Sequence, residues 1–503
     1  MLQGQEIARH NNKNDCWVII HGKAYDVTEF MPEHPGGPGI ILKYAGKDAT
    51  EAYDPIHPPN TLDTYLAKDK HLGEVDMGTV EKVVKERSEE DKQLDKRREN
   101  KPPLSQCMNL YDFEAVAKTT LTPQAWAYYS SGADDEITMR ENRIAYQRLW
   151  FRPRILRDVS NIDYSTTLLG TKSSLPIYIT ATALGKLGHP EGEKNLTRAA
   201  ADQGIIQMIP TLASCSFDEI RDAAVDGQTQ WMQLYVNRDR EITKGIVQHA
   251  EKRGIKGLFI TVDAPQLGRR EKDFRMKFTS QGSNVQQQDS SVDTSQGAAR
   301  AISSFIDPGL SWKDMEWFKS ITKMPLILKG VQTWEDAVMA AEAGLQGVVL
   351  SNHGGRQLDL ARSGIEVLVE VVDALKQRNL WNPDKFSVFI DGGVRRAGDV
   401  LKAVALGAKA VGIGRPFIYA YSAYGHEGTI KAIQVLKDEM EMNMRLIGAP
   451  TIADLTPEMV DTRMIYSKTA DNPMDHLHNA IYEPLPPLVQ GGGIQAKLPS
   501  AKL

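Results

Sequence analysis

Eight short apolar runs, at 176–180, 205–209, 231–235, 257–263, 325–329, 347–350, 386–391 and 410–414, recur along this chain with spacers long enough to hold a helix between them. Short apolar runs bounded by turn signals read as buried strands. Eight of them alternating with helical segments describe an α/β fold, the (β/α)8 TIM barrel. Such a barrel keeps its chemistry at the C-terminal ends of its strands, and polar residues cluster there in this chain. One spacer departs from the pattern. From about 279 to 300 it is rich in Gln, Ser and Gly, buries little apolar surface, and is expected to be a mobile loop over the barrel mouth.

The sixth run ends at Leu350 and delivers Ser351-Asn352-His353-Gly354-Gly355-Arg356-Gln357-Leu358-Asp359. The two glycines allow a sharp turn and close approach to a ligand, so His353 and Arg356 project side by side. The planar guanidinium of Arg356 suits a carboxylate held bidentately, and an imidazole beside it can remove a proton near neutral pH. A small carboxylic acid is the substrate class this pair suggests. Lys329, ending the fifth run, either snorkels to solvent or places a fixed cation in the mouth. Asp263, ending the fourth, either caps a helix or steadies the imidazolium that His353 becomes. Asp391-Gly392-Gly393-Val394-Arg395 and Gly412-Ile413-Gly414-Arg415 follow the last two runs, where barrels bind phosphate through loop amides and nearby cations.

Ahead of the barrel, residues 1–76 form a small α+β unit with short strands around Trp17-Val18-Ile19-Ile20 and Lys23-Ala24-Tyr25-Asp26-Val27. His34 and His57 each sit in a Pro-rich loop. Two such imidazoles either cap loop backbone or, held on opposing loops, ligate an iron from both sides and favour electron transfer. Residues 77–104 alternate charges of both signs and read as a solvated, partly helical linker that the pair Pro102-Pro103 ends. The barrel domain takes 105–480 and a flexible tail 481–503.

A net charge of −5 and a pI near 6.2 give no footprint for nucleic acid, and no apolar run approaches a membrane span. Cys16, Cys107 and Cys215 are scattered and odd in number, against a disulfide framework, a zinc site or covalently attached haem.

His34-Pro35-Gly36-Gly37, a second His about 23 residues on, and Ala45-Gly46-Lys47-Asp48 between them resemble the cytochrome b5 family. That resemblance implies a b-type haem with His34 and His57 as axial ligands and Tyr65 against a propionate. From about Leu110 to Leu446 the chain resembles the FMN-dependent α-hydroxy acid dehydrogenase and oxidase family. The motifs are Tyr128-Tyr129-Ser130-Ser131-Gly132-Ala133, Gln233-Leu234-Tyr235, Thr261-Val262-Asp263-Ala264-Pro265, Leu328-Lys329-Gly330, the stretch from Ser351 to Gln357, and that from Asp391 to Arg395. Together the two halves resemble the flavocytochrome b2 family.

That resemblance implies oxidation of L-lactate to pyruvate by FMN, with electrons passing through haem b to an acceptor such as cytochrome c, in a homotetramer. By matching position, Tyr128 and Arg356 hold the substrate carboxylate, Tyr235 its hydroxyl, His353 takes a proton, and Arg270 is a second, mobile cation. FMN meets Thr180, Ala181, Thr182 and Ala183 on one side, Gln233 and Thr261 at the ring, and Lys329 at its anionic edge. Its phosphate meets Gly393, Arg395, Gly414 and Arg415, with Asp391, Gly392 and Val394 in the same loop. Ala183 and Leu212 flank the substrate side chain and leave room for little more than a methyl. Pro210 departs from the pattern, standing where a small hydroxyl residue is expected near the flavin.

Two other functions fit the same motifs: an oxidase returning electrons to oxygen, and a haem electron carrier whose barrel only binds a ligand. Anaerobic reduction of the haem by lactate separates the first, and bleaching of FMN the second. Glu29, Glu33, Glu51 and Asp54 near the expected haem edge suggest a basic acceptor. The chain opens Met1-Leu2-Gln3-Gly4-Gln5-Glu6 with no basic, acid-poor presequence, and ends Ala501-Lys502-Leu503, which resembles a peroxisomal address. The expected compartment is the peroxisome, ahead of the cytosol and the mitochondrial intermembrane space.

Overall fold

All eight expected runs are strands in the computed structural model, which describes residues 1–34, 38–54, 57, 61–80, 88–278 and 306–467. The strands are Ile177–Ile179, Ile206–Ile209, Gln230–Leu234, Leu258–Thr261, Leu326–Val331, Gly347–Leu350, Ser387–Asp391 and Ala410–Ile413. They pair in parallel in chain order until the last closes on the first, with Val411 opposite Ile177 and Ile413 opposite Ile179. The Tyr65 side chain, the loop expected over 279–300, and the tail 481–503 with Ala501-Lys502-Leu503 lie outside the described residues.

Two strand ends differ from expectation, and both differences shape the site. The fourth strand stops at Thr261, two residues before Asp263, whose carboxylate turns toward His353. The fifth runs past Lys329 to Val331, because Gly330 at φ +109° forms an irregularity that lets Val331 still pair with Leu350. Lys329 therefore projects from within a strand.

The barrel interior is a packed core rather than a pore. Tyr178, Met208, Trp231, Phe259, Ile327, Val349 and Phe389 form one buried cluster. Trp231 lies 4.9 Å from Phe259 and 5.3 Å from Tyr178, centroid to centroid, in the tilted arrangements that aromatic quadrupoles favour. This plug fills the space below the strand ends. Outside, helices seal the strands with one apolar face each. Gly364–Gln377 buries Ile365, Leu368, Val372 and Leu375 at helical spacing, roughly 1.5–3 kcal/mol for each such side chain withdrawn from water.

Residues 1–80 build a five-stranded sheet in the order Leu2–Gln3, His71–Asp76, Lys23–Asp26, Asp15–Ile20, Asn11–Asn12. Alternation along Asp15–Ile20 sends Val18 and Ile20 into one core with Tyr25, Met31 and Tyr53, and Ile19 into another with Ile7, Ala24 and Val75. The expected helical segment of the linker is Glu89–Glu99, started by a capping box between Ser88 and Asp91 and ended at Asn100, ahead of the proline pair. Arg97 and Arg98 fasten it by donating to the carbonyls of Thr119 and Thr120. Cys16, Cys107 and Cys215 are buried and form no disulfide. Among the described residues no helix is long and apolar enough to cross a membrane.

Candidate active site and histidine pair

A cavity of about 1160 Å³, counted out to its open mouth, lies over the aromatic plug at the C-terminal ends of the strands. Its wall brings together Tyr128, Thr180, Ala181, Thr182, Ala183, Gln233, Tyr235, Arg270, Lys329, His353, Arg356, Arg395 and Arg415, and the turn Asp391 to Val394 with Gly414. Asp263 and Thr261 are not on the wall; each stands behind a residue that is.

His353 is held at both its backbone and its ring. Its backbone takes the left-handed conformation, φ +60°, which few non-glycine residues adopt. The conformation is held by its own N–H donating to Ser351 Oγ at 3.0 Å, while Ser351 donates to Asp391 Oδ1 at 2.6 Å. Asp391 Oδ2 in turn lies 3.4 Å from Lys329 Nζ. On the ring, Nδ1 lies 3.1 Å from Asp263 Oδ1 and Nε2 lies 3.2 Å from the Tyr235 hydroxyl. Burial pushes Asp263 up, but His353 and Lys329 outweigh it and hold the carboxyl below its ordinary range. An ionised Asp263 fixes the proton on Nδ1 and leaves the Nε2 lone pair facing the cavity. Burial lowers the His353 pKa, against the pull of Asp263 and with Lys329 and Arg270 adding to it, so the ring is a neutral base at neutral pH. Burial and Asp263 raise Tyr235, which stays a phenol and a donor.

The cationic side of the cavity is Arg356 and Arg270. Arg356 Nη1 donates to the carbonyls of Tyr128 and Ser131 at 2.8 and 2.9 Å, and its guanidinium sits 5.0 Å over the Tyr128 ring. Arg270, expected as a mobile cation, is 3% exposed, with Nε 3.5 Å from the Arg356 carbonyl. Burial and the neighbouring Arg356 charge bring its pKa down to about 10. A buried guanidinium and a half-buried one that repel each other suit an anion, such as a carboxylate, placed between them.

The remaining wall fits a phosphorylated, hydrogen-bonding ring system. Thr180 Oγ1 and Thr182 Oγ1 are buried without a hydrogen-bond partner among the described residues. Gly414 keeps the space beside them open, since a Cβ there would come within 3.1 and 3.3 Å of their methyls. Gln233 has its amide oriented from behind: Oε1 accepts the Thr211 N–H at 3.1 Å, and Nε2 donates to Thr261 Oγ1 at 2.9 Å. Thr261, expected at the ring, braces Gln233 from behind. Gly393 is required by contact, because a Cβ there would fall 1.9 Å from the Asn142 carbonyl. Arg395 lies beside it, with Nε 3.2 Å from Glu114. The Arg415 side chain, expected at a phosphate, lines the cavity and donates to the carbonyls of Tyr129, Gly354 and Ser131. Its main-chain N–H opens the helix Arg415–Ile447, an end suited to an anion. Pro210 lines the wall with neither a hydroxyl nor an N–H to offer.

In the N-terminal unit, the rings of His34 and His57 face each other at 5.9 Å between centroids, tilted by 42°. An iron taking one nitrogen from each ring at about 2 Å needs roughly that separation. His57 stacks on Tyr53 at 4.5 Å, and its Nδ1 lies 3.2 Å from the Tyr53 carbonyl. Burial lowers its pKa and so favours the neutral ring. The pair fits a haem, whose macrocycle supplies the other four ligands.

Residues 117–462 match the family of FMN-dependent dehydrogenases. The chain belongs to that family. Residues 3–76 of this FMN-dependent dehydrogenase match the cytochrome b5-like haem/steroid binding domain, so FMN and haem are its cofactors. It is 57% identical over 482 residues to the L-lactate dehydrogenase (cytochrome) of Wickerhamomyces anomalus, covering 96% of this chain and 83% of that one. The recombinant flavin-binding domain of baker's yeast flavocytochrome b2 superposes with a TM-score of 0.71 at 52% identity, covering 81% of this chain and 100% of that one. A peroxisomal (S)-2-hydroxyacid oxidase of Arabidopsis thaliana is 44% identical but covers only 71% of this chain, with 98% of its own length matched.

Several residues that build the site of this FMN-dependent dehydrogenase were not among the expected ones. Ser351 links His353 to Asp391, and Gln357 donates to the carbonyls of Asp263 and Gln266, holding the loop that carries the His353 partner. Asp359 accepts the N–H groups of Ile137 and Thr138 at the start of Ile137–Gln147. All three lie in or next to the His353 motif, and that proximity is the signal that could have found them.

Proposed function

We propose that this enzyme oxidises L-lactate to pyruvate and passes the two electrons through haem b to a one-electron acceptor. One observation carries the reading: a neutral imidazole clamped between Asp263 and Tyr235 faces the same cavity as Arg356 and Arg270. FMN, when bound, would supply the two-electron acceptor, and haem b a one-electron carrier. Arg356 and Tyr128 hold the carboxylate, with Arg270 beside them, and place the substrate's C2 under His353. Tyr235 hydrogen-bonds the substrate hydroxyl, and His353 Nε2 accepts a proton. Asp263, already ionised, stabilises the resulting imidazolium. Lys329, held by Asp391, is the fixed cation for negative charge gathering on the cofactor side. The haem unit is placed in 1–76, a linker in 77–104, the catalytic barrel in 105–480 and a tail in 481–503.

Product stoichiometry tests this. Each pyruvate formed from L-lactate under nitrogen consumes two equivalents of a one-electron acceptor. Hydrogen peroxide appearing in air in step with pyruvate, acceptor or no acceptor, would assign the chain to the oxidases instead.

Arg356→Lys lowers kcat/KM for lactate roughly 10- to 100-fold, the worth of one charge-assisted hydrogen bond of about 1.5–3 kcal/mol. Steady-state kinetics with lactate measure it, and an unchanged value places the carboxylate elsewhere.

The acceptor we propose is basic, as cytochrome c is. Glu29, Glu51 and Asp54 carry acid on the N-terminal unit, although Glu29 is shared with Lys70 at 3.1 Å and Asp54 with His21 at 2.7 Å. The second-order rate of cytochrome c reduction then falls steeply as ionic strength rises. A rate indifferent to salt rejects this acceptor class.

A further inference from the structure

Glu193 is fully buried, at 0% exposure, just ahead of the helix Lys194–Gln203. A carboxylate is costly to bury unless its oxygens are hydrogen-bonded. These are: Oε1 accepts the N–H of Gly185 at 2.8 Å and of Ser214 at 2.9 Å, and Oε2 accepts the N–H of Cys215 at 3.1 Å. The donors come from two separate loops, those that follow the first and second barrel strands. Ala183 lies two residues before Gly185, Leu212 lies two residues before Ser214, and both line the cavity. A second tie joins the loops directly, the Leu184 N–H donating to the Leu212 carbonyl at 3.2 Å from a left-handed Leu184, φ +59°. The Tyr129 hydroxyl holds the Leu184 carbonyl at 2.6 Å.

We propose that Glu193 is a specificity-positioning residue: its carboxylate clamps the loop bearing Ala183 to the loop bearing Leu212 and thereby sets the width of the pocket that takes the substrate's side chain. The inference rests on the reading that these two residues flank that side chain. A carboxylate accepts from both loops at once. A carboxamide has one accepting oxygen: at the Oε1 position it turns its NH2 against the Cys215 N–H, and at the Oε2 position against those of Gly185 and Ser214, so the second loop loses a tie in either orientation. Gly185 probes the clamp from the other side, because a Cβ there would lie 2.8 Å from Glu193 Cδ.

The test is kcat/KM of the FMN- and haem-loaded holoenzyme for L-lactate and for L-2-hydroxybutyrate, one methylene longer. Glu193→Gln raises the ratio of 2-hydroxybutyrate to lactate about ten-fold, within the range one methylene spans in a fitted pocket, and does so through KM. Gly185→Ala shifts the ratio in the same direction and carries the test should Glu193→Gln fail to fold. General loss of stability moves both substrates by one common factor, so a common factor in whichever variant folds overturns the clamp. Leu212→Ala separates the two readings. When it raises the ratio and the clamp variants do not, the clamp alone is wrong. When it leaves the ratio unchanged, the assignment of the pocket is wrong and the clamp falls with it.

Discussion

A His353→Gln enzyme keeps FMN and haem and oxidises L-lactate about 10²- to 10⁴-fold more slowly, the usual cost of removing a general base. Glutamine fills much of the imidazole's volume and can still donate to Asp263, so the wall is preserved, but an amide does not accept a proton. The parent's pH profile makes the same point. Because burial holds His353 below its ordinary value of 6.5, the base form persists through neutral pH, and kcat/KM falls only as the pH drops below the usual histidine range. Asp263 pulls that pKa upward, so Asp263→Asn moves the acid limb to still lower pH while lowering the plateau. Steady-state kinetics across pH, with cofactor content read from the visible spectrum, check both variants. Near-normal turnover of His353→Gln removes the base from the scheme.

His57→Ala all but abolishes electron delivery to cytochrome c while L-lactate still bleaches FMN. The haem loses one of two ligands, and the facing ring of His34, 5.9 Å away in the parent, cannot make up the loss. The barrel cavity is lined by none of the residues around that pair, so the flavin half-reaction is untouched. The visible spectrum of the variant shows an altered or absent haem band, and anaerobic lactate then reports on flavin alone. Retention of the parent haem spectrum would show that His57 is not a ligand.

The barrel was legible because strands buried on both faces must be apolar, so each run announces itself between turn residues. Its boundaries were less so. Where the fifth strand continues past Lys329, a single glycine at φ +109° keeps the pairing going, and apolar patterning carries no sign of that. The grouping of His353, Arg356, Tyr235 and Tyr128 was readable from motifs near strand ends. Of their supports only Asp263 was, at the end of its own apolar run; the rest depend on register between different strands. Asp391 was expected with the phosphate loop; it lines the cavity, yet its carboxylate is engaged by Ser351 and Lys329. Arg415 was expected at the phosphate because cations commonly are; it lines the cavity, and three of its five side-chain N–H donors go to carbonyls of neighbouring loops, which sequence alone does not show. Glu193 gave no signal at all, since a lone glutamate before a helix reads as an ordinary solvated residue.

The central claim, that one chain oxidises lactate in its barrel and delivers the electrons to its own haem, is tested most directly by anaerobic rapid mixing of the purified protein with L-lactate. The absorbance of oxidised FMN falls first and the bands of reduced haem follow, with no other protein present. Flavin that bleaches while the haem stays oxidised would contradict the account.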